Sequence, residues 1–318
     1  YKRQIKHRPS MKKIFAIAMI ASLALTSCGD EDDIKPRNPE ECYFENTYGS
    51  SAADLQLQAD FFSRNKIYVL FNDTLRKELK GVDADGNPYY DLKLVDIGYG
   101  MNVNMNPNTE TIGFDYLTSD ADKSQGVKFL DEMILPSLGA PLRPFSFLLV
   151  DKINHEEMVY GSMVPDNPII YSGWRCSAIA MSGIGSMTLE QKQTMRSDIL
   201  KSIVVKAIGN MDQSVFEKFY SFCEPYYSTY AMYEEAEAFI ALHPTMYDVG
   251  FLSAYSYGNG NGFYIYNFKA KNYDLEDYTN VLFSMTEAEF KTQYADYPIV
   301  LQKYDILKKI IEDLGMVF

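Results

Sequence analysis

The amino-acid sequence predicts a mixed α+β fold, in which a short mixed sheet is followed by a mainly helical C-terminal half. Runs rich in β-branched and aromatic residues predict strands at 66–71, 145–150, 167–174, 177–181 and 263–268. Apolar residues at helical spacing predict helices at 51–64, 121–139, 188–211, 214–223, 231–242, 286–295 and 298–314. Because most strand signals precede most helix signals, the order is typical of an α+β domain.

Turn and capping residues mark the boundaries of several predicted elements. Residues 83–88 (Asp-Ala-Asp-Gly-Asn-Pro) predict a turn or hairpin loop. Thr188 and Gln191 predict a capping box, in which the two side chains satisfy free backbone amides at the start of a helix. The helix that follows carries a broad apolar stripe over 199–208, so we expect it to be buried. Pro298 suits the first turn of the last helix.

The N-terminal segment has the pattern of a secretory signal. Two lysines lead an apolar run that ends in Leu-Thr-Ser-Cys-Gly, and the run is shorter than the roughly 20 residues that span a bilayer. The ending resembles a bacterial lipobox, which implies a mature chain that starts at Cys28 and carries lipid there. An ordinary signal peptide with an incidental cysteine is the alternative. Residues 1–10 are expected to be a spurious upstream segment, and 11–27 the lipoprotein signal peptide.

Residues 28–44 are expected to form an acidic, flexible tether between the lipid and a domain at 45–318. The acidic run 30–33 lies just after Cys28. It resembles the surface-export signal of Bacteroidetes lipoproteins, which implies a lipid-anchored protein of the outer membrane or cell surface. Several acyl chains anchor a protein firmly, whereas one chain binds only marginally.

The composition argues against nucleic-acid binding. The chain has 318 residues, with 30 Lys and Arg against 43 Asp and Glu and a formal net charge of −13. Residues 1–27 hold basic residues and no acidic ones, so the mature chain is more acidic still. Binding to phosphates requires a basic patch. Anionic lipid would repel such a chain, so we expect membrane contact to run through the lipid anchor alone.

Several segments follow the order and spacing of motifs in a known family. They are Phe219–Phe222 with Tyr226–Tyr227, Gly250–Tyr255, Asn272–Asp277 and Pro298–Lys309. Over roughly 45–315 the chain resembles the zinc metallohydrolase lipoproteins (zinc-binding metallopeptidases) that accompany substrate import in Bacteroidetes. The resemblance implies a zincin-like metallopeptidase fold. It also implies a TonB-dependent transporter and its partner lipoprotein as partners.

The zinc motif of that family, HExxH, is degenerate in this chain. In HExxH the two histidines lie four residues apart on one helix face, and the glutamate can reach the metal-bound water. The resemblance places Ile203 and Ala207 at the histidine positions, Val204 at the glutamate position and Tyr273 at the third ligand. Such a set does not hold a divalent zinc ion, so we expect no zinc, no other cofactor and no catalytic residue.

Other candidate sites have weaker support. The mature chain has two histidines, His155 and His243, and a relocated zinc site would need them to meet in the fold. We expect His155 in a loop and His243 at a helix end. Lipidation of Cys28 would leave Cys42, Cys176 and Cys223, and the sequence is compatible with one disulfide or with free thiols.

Aromatic residues supply a candidate ligand-binding set. Aromatic faces stack on sugars, and tyrosine is abundant here, with 25 residues. In the topology that the resemblance implies, the candidates flank the former active-site region: Tyr226, Tyr227, Tyr230, Tyr255 and Tyr257. The alternative is that these rings fill the former metal cavity and pack in the core.

The expected function is non-catalytic. It is a binding or accessory role in a nutrient-import system, with a glycan or a peptide as ligand. One alternative is an active zinc-dependent or other hydrolase, peptidase or glycan-processing, with an unrecognised site. Another is a purely structural envelope protein.

Overall fold

The computed structural model describes residues 42–45, 47–95, 97, 110–228, 245–258 and 264–318. Residues 43–318 form one compact unit. Several predicted features lie outside the described residues. They are the segment 1–10, the signal peptide 11–27, Cys28 and most of the tether, the helix 231–242, Tyr230 and His243.

Ten strands are described: β1 (Tyr68–Leu70), β2 (Thr74–Val82), β3 (Pro88–Leu94), β4 (Glu110–Tyr116), β5 (Ser146–Val159), β6 (Ser162–Asp166), β7 (Ile170–Ser172), β8 (Cys176–Ala180), β9 (Ala254–Gly258) and β10 (Tyr264–Phe268). The described α-helices are α1 (Ala52–Asn65), α2 (Asp120–Phe129), α3 (Leu189–Gly209), α4 (Glu217–Tyr220), α5 (Lys271–Ser284), α6 (Glu287–Gln293) and α7 (Pro298–Asp313). Since most strands precede most helices and the sheet is mixed, the predicted α+β class is confirmed.

The main sheet is organised around the long strand β5. The strand order is β1–β5–β8–β7, with β1 and β8 parallel to β5 and β7 antiparallel to β8. Leu148 of β5 lies between Leu70 and Ala178, and all three are fully buried. This part of β5 is therefore apolar on both faces, as is usual for parallel strands. The second half of β5 pairs with the antiparallel strands β4 and β6.

The structure differs from the prediction in five strands and in three helical regions. Strands β2, β3, β4, β6 and β9 were not predicted, because they lack an apolar run. Helix α5 was not predicted from periodicity, and the helix predicted at 214–223 is a 3-10 turn, Gln213–Phe216, followed by the short α4. The helix predicted at 121–139 is divided. The α-helix α2 gives way to a π-helical turn, Leu130–Ile134, and then to a 3-10 turn that contains Pro136. Proline has no N–H and its ring clashes with the preceding turn, so a regular α-helix does not continue through it.

Side-chain caps fix the starts of α1 and α3. Thr188 and Gln191 form the predicted box, with backbone-to-side-chain distances of 2.8 and 3.2 Å. Ser51 and Asp54 form the same box at α1. Asp54 also accepts a hydrogen bond from Nζ of Lys123 in α2 at 2.7 Å, so this carboxylate joins the first two helices.

The predicted apolar stripe of α3 is buried, as expected. Ile199, Leu200 and Val204 are fully buried in the main core. Helix α3 packs against α5, the π-helical turn and the edge strand β7, so one of its faces lies beside the rim of the main sheet. Within the described residues no helix is long and apolar enough to cross a membrane.

Two further sheets have two strands each. Strands β9 and β10 form one, and β2 and β3 form the other. The turn predicted at 83–88 joins β2 to β3, and the N–H of Asp83 donates to the carbonyl of Asn87 at 2.8 Å. Gly86 supplies the positive φ that the turn needs, +84°.

Gly250 occupies a position that a larger residue does not fit. It follows the 3-10 turn Met246–Val249 with φ +91°, and a Cβ built there would lie 2.5 Å from Cγ2 of Ile299. At Gly86 the φ is similar, but no atom lies within 4 Å of such a Cβ. Substitution at Gly86 therefore reports the cost of positive φ alone, whereas substitution at Gly250 adds the cost of steric overlap.

We expect Gly250→Ala to lower the free energy of unfolding by about 3 kcal/mol, because positive φ and overpacking both contribute. Gly86→Ala should lose only about 1 kcal/mol, from the backbone alone. Urea unfolding followed by circular dichroism measures both variants. Equal losses would contradict the packing described around Gly250.

Candidate functional site

An open groove lies between α3 and the edge of the main sheet. It holds about 200 Å³ and adjoins a second space of about 420 Å³. The residues that line both are Ser172, Gly173, Trp174, Lys206 and Asn210. The combined space is in the range of small-ligand sites, so this groove is the candidate binding site.

One face of α3 forms a wall of the groove. Ile203, Lys206, Ala207 and Asn210 all line it, and their spacing of three, four and seven residues places them on one helix face. Ile203 and Ala207, which the expected resemblance aligns with the zinc histidines, both line the groove. Val204 is fully buried in the core.

Lys206 joins α3 to the end of β7. Its Nζ donates to the carbonyl of Ser172 at 3.0 Å and to the carbonyl of Gly173. Burial lowers the pKa of Lys206 from its ordinary value. The ammonium thus satisfies carbonyl groups at the sheet edge and leaves a cation in the groove wall.

The outer edge of β7 carries backbone groups that β8 does not use. Gly173 donates to the carbonyl of Cys176, and Ala180 donates to the carbonyl of Ile169, both at 2.9 Å. Hydrogen-bonding directions alternate along a strand, so Ile170 faces the other side. Among the described residues no strand pairs with that side of β7. The groove reaches this edge at Ser172, which faces the same side as Ile170 and whose carbonyl is bound by Lys206.

The opposite wall and the rim add an aromatic ring and a second cation. Trp174, the single tryptophan of the chain, is 84% exposed at the rim. Arg143 lines the groove and donates from Nε to the carbonyl of Leu138 at 2.8 Å, which holds its guanidinium in place. Lys206 lines both cavities and Arg143 lines one, and neither lining contains Asp or Glu, so the charge of the described lining is positive.

The groove residues do not fit a zinc ion. The side chains that line it include no imidazole and no carboxylate. Its one sulfur ligand, Cys176, is buried, and burial raises the pKa of this thiol to about 12, whereas zinc binds thiolates. Tyr273, which the expected resemblance aligns with the third zinc ligand, is exposed on the first turn of α5 and lines neither cavity. Among the described residues no group of three His, Cys, Asp or Glu could hold a metal.

His155 lies on strand β5, so the expectation of a loop was wrong. The strand was predicted only to residue 150, because the polar continuation lacks an apolar run. Nε2 of His155 is 2.8 Å from Oε1 of Glu110, which also accepts a hydrogen bond from the hydroxyl of Tyr171 at 2.5 Å. The hydrogen bond from Tyr171 is the main reason why the pKa of Glu110 is lowered. This triad joins β4, β5 and β7 and stabilises the sheet.

A buried ion pair lies in the C-terminal half. Lys303 of α7 is 0% exposed. Its Nζ donates to Oδ2 of Asp274 at 2.6 Å, to the carbonyl of Gly250 at 2.9 Å and to Sγ of Cys223 at 3.1 Å. The ammonium also lies over three aromatic rings, at 4.5 to 5.3 Å from their centres. These are the rings of Phe219, Phe251 and Tyr278.

The carboxylate of this pair has little other compensation. Asp274 is 1% exposed, and Oδ2 also accepts a hydrogen bond from the hydroxyl of Tyr227 at 2.6 Å. Its other oxygen has no hydrogen-bond partner in the described residues. Burial raises the pKa of Asp274 above its ordinary value, even though Lys303 lowers it. Each of the four segments that carry the family resemblance contributes a residue to this ion pair or its contacts.

The candidate tyrosines are placed apart from the groove. Tyr227 binds Asp274, Tyr226 packs at 5.7 Å from the ring of Phe268, and Tyr255 is exposed. None of the three lines the groove. Tyr230 and the side chain of Tyr257 lie outside the described part of the chain.

Sequence reasoning missed Arg143, Trp174 and Lys206 in the groove. Two signals pointed to them. The chain has a single tryptophan, which directly follows a glycine, and Lys206 lies three residues after Ile203, on the same helix face. The missed Asp274 and Lys303 gave no local signal, because they are distant in sequence and meet only in the fold.

Comparison with known proteins identifies no relative. No protein-family model, no curated protein and no solved structure matches this chain.

We expect Lys303→Met to lower the free energy of unfolding by about 3–5 kcal/mol, because it leaves a buried carboxylate unpaired. Lys308→Met, on the accessible side of the same helix, removes only surface ion pairs and should lose at most about 1 kcal/mol. Chemical unfolding measures both variants.

The loss of unfolding free energy that Lys303→Met causes, its stability deficit, should depend on pH. Lys303 lowers the pKa of Asp274, so its removal raises that pKa further. A pKa raised by folding favours the folded state below it and disfavours the folded state above it. The deficit should therefore shrink as the pH falls from neutral, because protonation removes the unpaired charge. A deficit that is independent of pH would contradict an ionised Asp274.

Proposed function

We propose that this chain is a lipoprotein of the outer membrane or cell surface that binds an extended ligand in the groove between α3 and β7 and does not cleave it. The observation that carries the proposal is the wall of α3. Ile203 and Ala207 line this groove, and the resemblance aligns the same two positions with the zinc histidines of the family. Apolar side chains at these two positions leave a binding surface without the means to activate water.

The ligand class follows from the groove itself. The β7 edge has backbone groups directed away from β8, and β-strand addition is a common mode of peptide recognition. Lys206, Arg143 and Trp174 supply two cations and an exposed ring. We infer that an extended peptide with acidic side chains is the ligand. An acidic glycan, stacked on Trp174, is the second candidate.

The lipid anchor and the import role rest on the sequence. The lipobox at Cys28 and the acidic run after it support attachment at the outer membrane or cell surface. The order of the C-terminal motifs supports a degenerate, zincin-like relative of the import-associated zinc metallohydrolases. In that role the chain would present its ligand to a TonB-dependent transporter and its partner lipoprotein.

Fluorescence anisotropy on panels of labelled acidic peptides and glycans tests the proposal with the mature protein. Ala207→Trp should weaken binding at least about tenfold, or about 1.4 kcal/mol, because the ring fills the groove. Val205→Trp is the matched control, since Val205 is exposed on the same helix and does not line the groove. Its affinity should match that of the wild type.

The same samples, analysed by mass spectrometry, report whether the ligand survives. An intact ligand is expected after prolonged incubation. Cleaved ligand would indicate a hydrolase with a site elsewhere. Binding that Ala207→Trp leaves unchanged would show that the groove is not the binding site. No binding to either panel would favour a structural envelope protein.

A further inference from the structure

The hairpin β2–β3 has two chemically different faces. On one face Arg76, Glu78, Asp91 and Lys93, with Lys80 beside them, form ion pairs at 2.5 to 3.6 Å. Cross-strand partners share a face, and the register pairs Leu79 with Tyr90 and Lys77 with Leu92. The second face therefore carries Lys77, Leu79, Tyr90, Leu92 and Leu94.

The second face, here called the apolar face, is exposed to solvent. Leu79 is 61% exposed, Leu92 50% and Leu94 53%. Apolar side chains on a sheet normally face a core, and contiguous exposed apolar surface marks an interaction site. A two-stranded hairpin is only marginally stable alone, so a partner on this face would also stabilise the hairpin.

The start of the domain lies against this hairpin. The N–H of Tyr48 donates to the carbonyl of Leu75 at 3.2 Å. The guanidinium of Arg76 lies 4.9 Å from the ring centre of Tyr43, and Nζ of Lys77 lies 5.5 Å from that of Tyr48. The chain that leads back to Cys28 therefore leaves the domain beside the hairpin.

The length of that chain keeps the hairpin near the lipid. Residues 29–43 connect Cys28 to the domain, and even fully extended they span at most about 50 Å. If Cys28 carries lipid, as in the proposed function, the exit point of the chain is held within this distance of the bilayer surface. The hairpin lies at the exit point.

The composition of the apolar face suits a membrane interface. Tyrosine is enriched where a bilayer meets water, and lysine extends its ammonium from apolar surroundings to the headgroups. Lys77 lies over the ring of Tyr90 at 4.2 Å and is the one charge on this face. The face carries no carboxylate, although the chain as a whole is strongly acidic.

We propose that the apolar face of β2–β3 docks on the bilayer that holds the Cys28 anchor. The inference rests on the proposed lipid anchor, and it revises the expectation that the lipid alone contacts the membrane. The hairpin would insert Leu79, Tyr90 and Leu92 at headgroup level, and the ion pairs of its other face would stay in water. Docking would hold the domain in a preferred orientation on the membrane.

Quenching by brominated phosphatidylcholine tests the docking in the lipidated, full-length mature protein. Trp174→Phe removes the single tryptophan, and Tyr90→Trp then places a reporter on the apolar face. Tyr89→Trp is the matched control, because adjacent strand residues point to opposite faces. We expect at least about twofold stronger quenching of Tyr90→Trp than of the control, since the ring sits at headgroup level. Adding Leu92→Glu should reduce this quenching towards the control.

Three outcomes would overturn the docking. In protein whose acyl mass is confirmed, equal and weak quenching of both reporters would exclude insertion of the hairpin. The lipid anchor itself would not be contradicted by that result. Absence of an acyl mass on Cys28 overturns the anchor and the docking together. A dimer of unlipidated Cys28→Ser protein that Leu79→Glu dissociates, measured by sedimentation, would show that a second copy covers the face instead.

Discussion

The C-terminal half depends on one buried interaction, the ion pair of Lys303 with Asp274. Two charges removed from water lose several kcal/mol of solvation each, and this loss is offset only when the partners and further hydrogen bonds are well placed. Here the carbonyl of Gly250, the thiol of Cys223 and the hydroxyl of Tyr227 supply those hydrogen bonds. The pair therefore joins α5, α7 and the turn before Gly250 into one arrangement.

The buried ion pair is connected to the groove by the packing of two helices. Helix α5 carries Asp274 and packs against α3, whose other side lines the groove. Core packing thus holds Ile203, Lys206 and Ala207 in place, and Lys206 in turn binds the carbonyl of Ser172 at the end of β7. The α3 wall, the end of β7 and the rim tryptophan surround the groove, and its described lining contains no His, Asp or Glu.

Local signals in the sequence predicted part of this molecule. The capping box of Thr188 and Gln191, the turn at 83–88, the apolar start of β5 and the buried stripe of α3 follow from periodicity and short-range chemistry, and the structure confirms each. Hydrophobic periodicity did not predict the strands that are polar, such as β4 and β6. It also failed where Pro136 ends a helical pattern. Lys303 looks like any lysine on a helix, because its partner Asp274 lies on another helix, and only tertiary packing brings the two together.

Zinc content tests directly whether this chain lacks a metal site. The mature protein, purified without a histidine tag and incubated with zinc, is desalted and analysed by elemental mass spectrometry. A groove wall with Ile203 and Ala207, backed by the buried Val204, predicts zinc well below one ion per chain. One tightly held zinc per chain would show that a metal site exists, and His155 and His243 would then be the first residues to substitute.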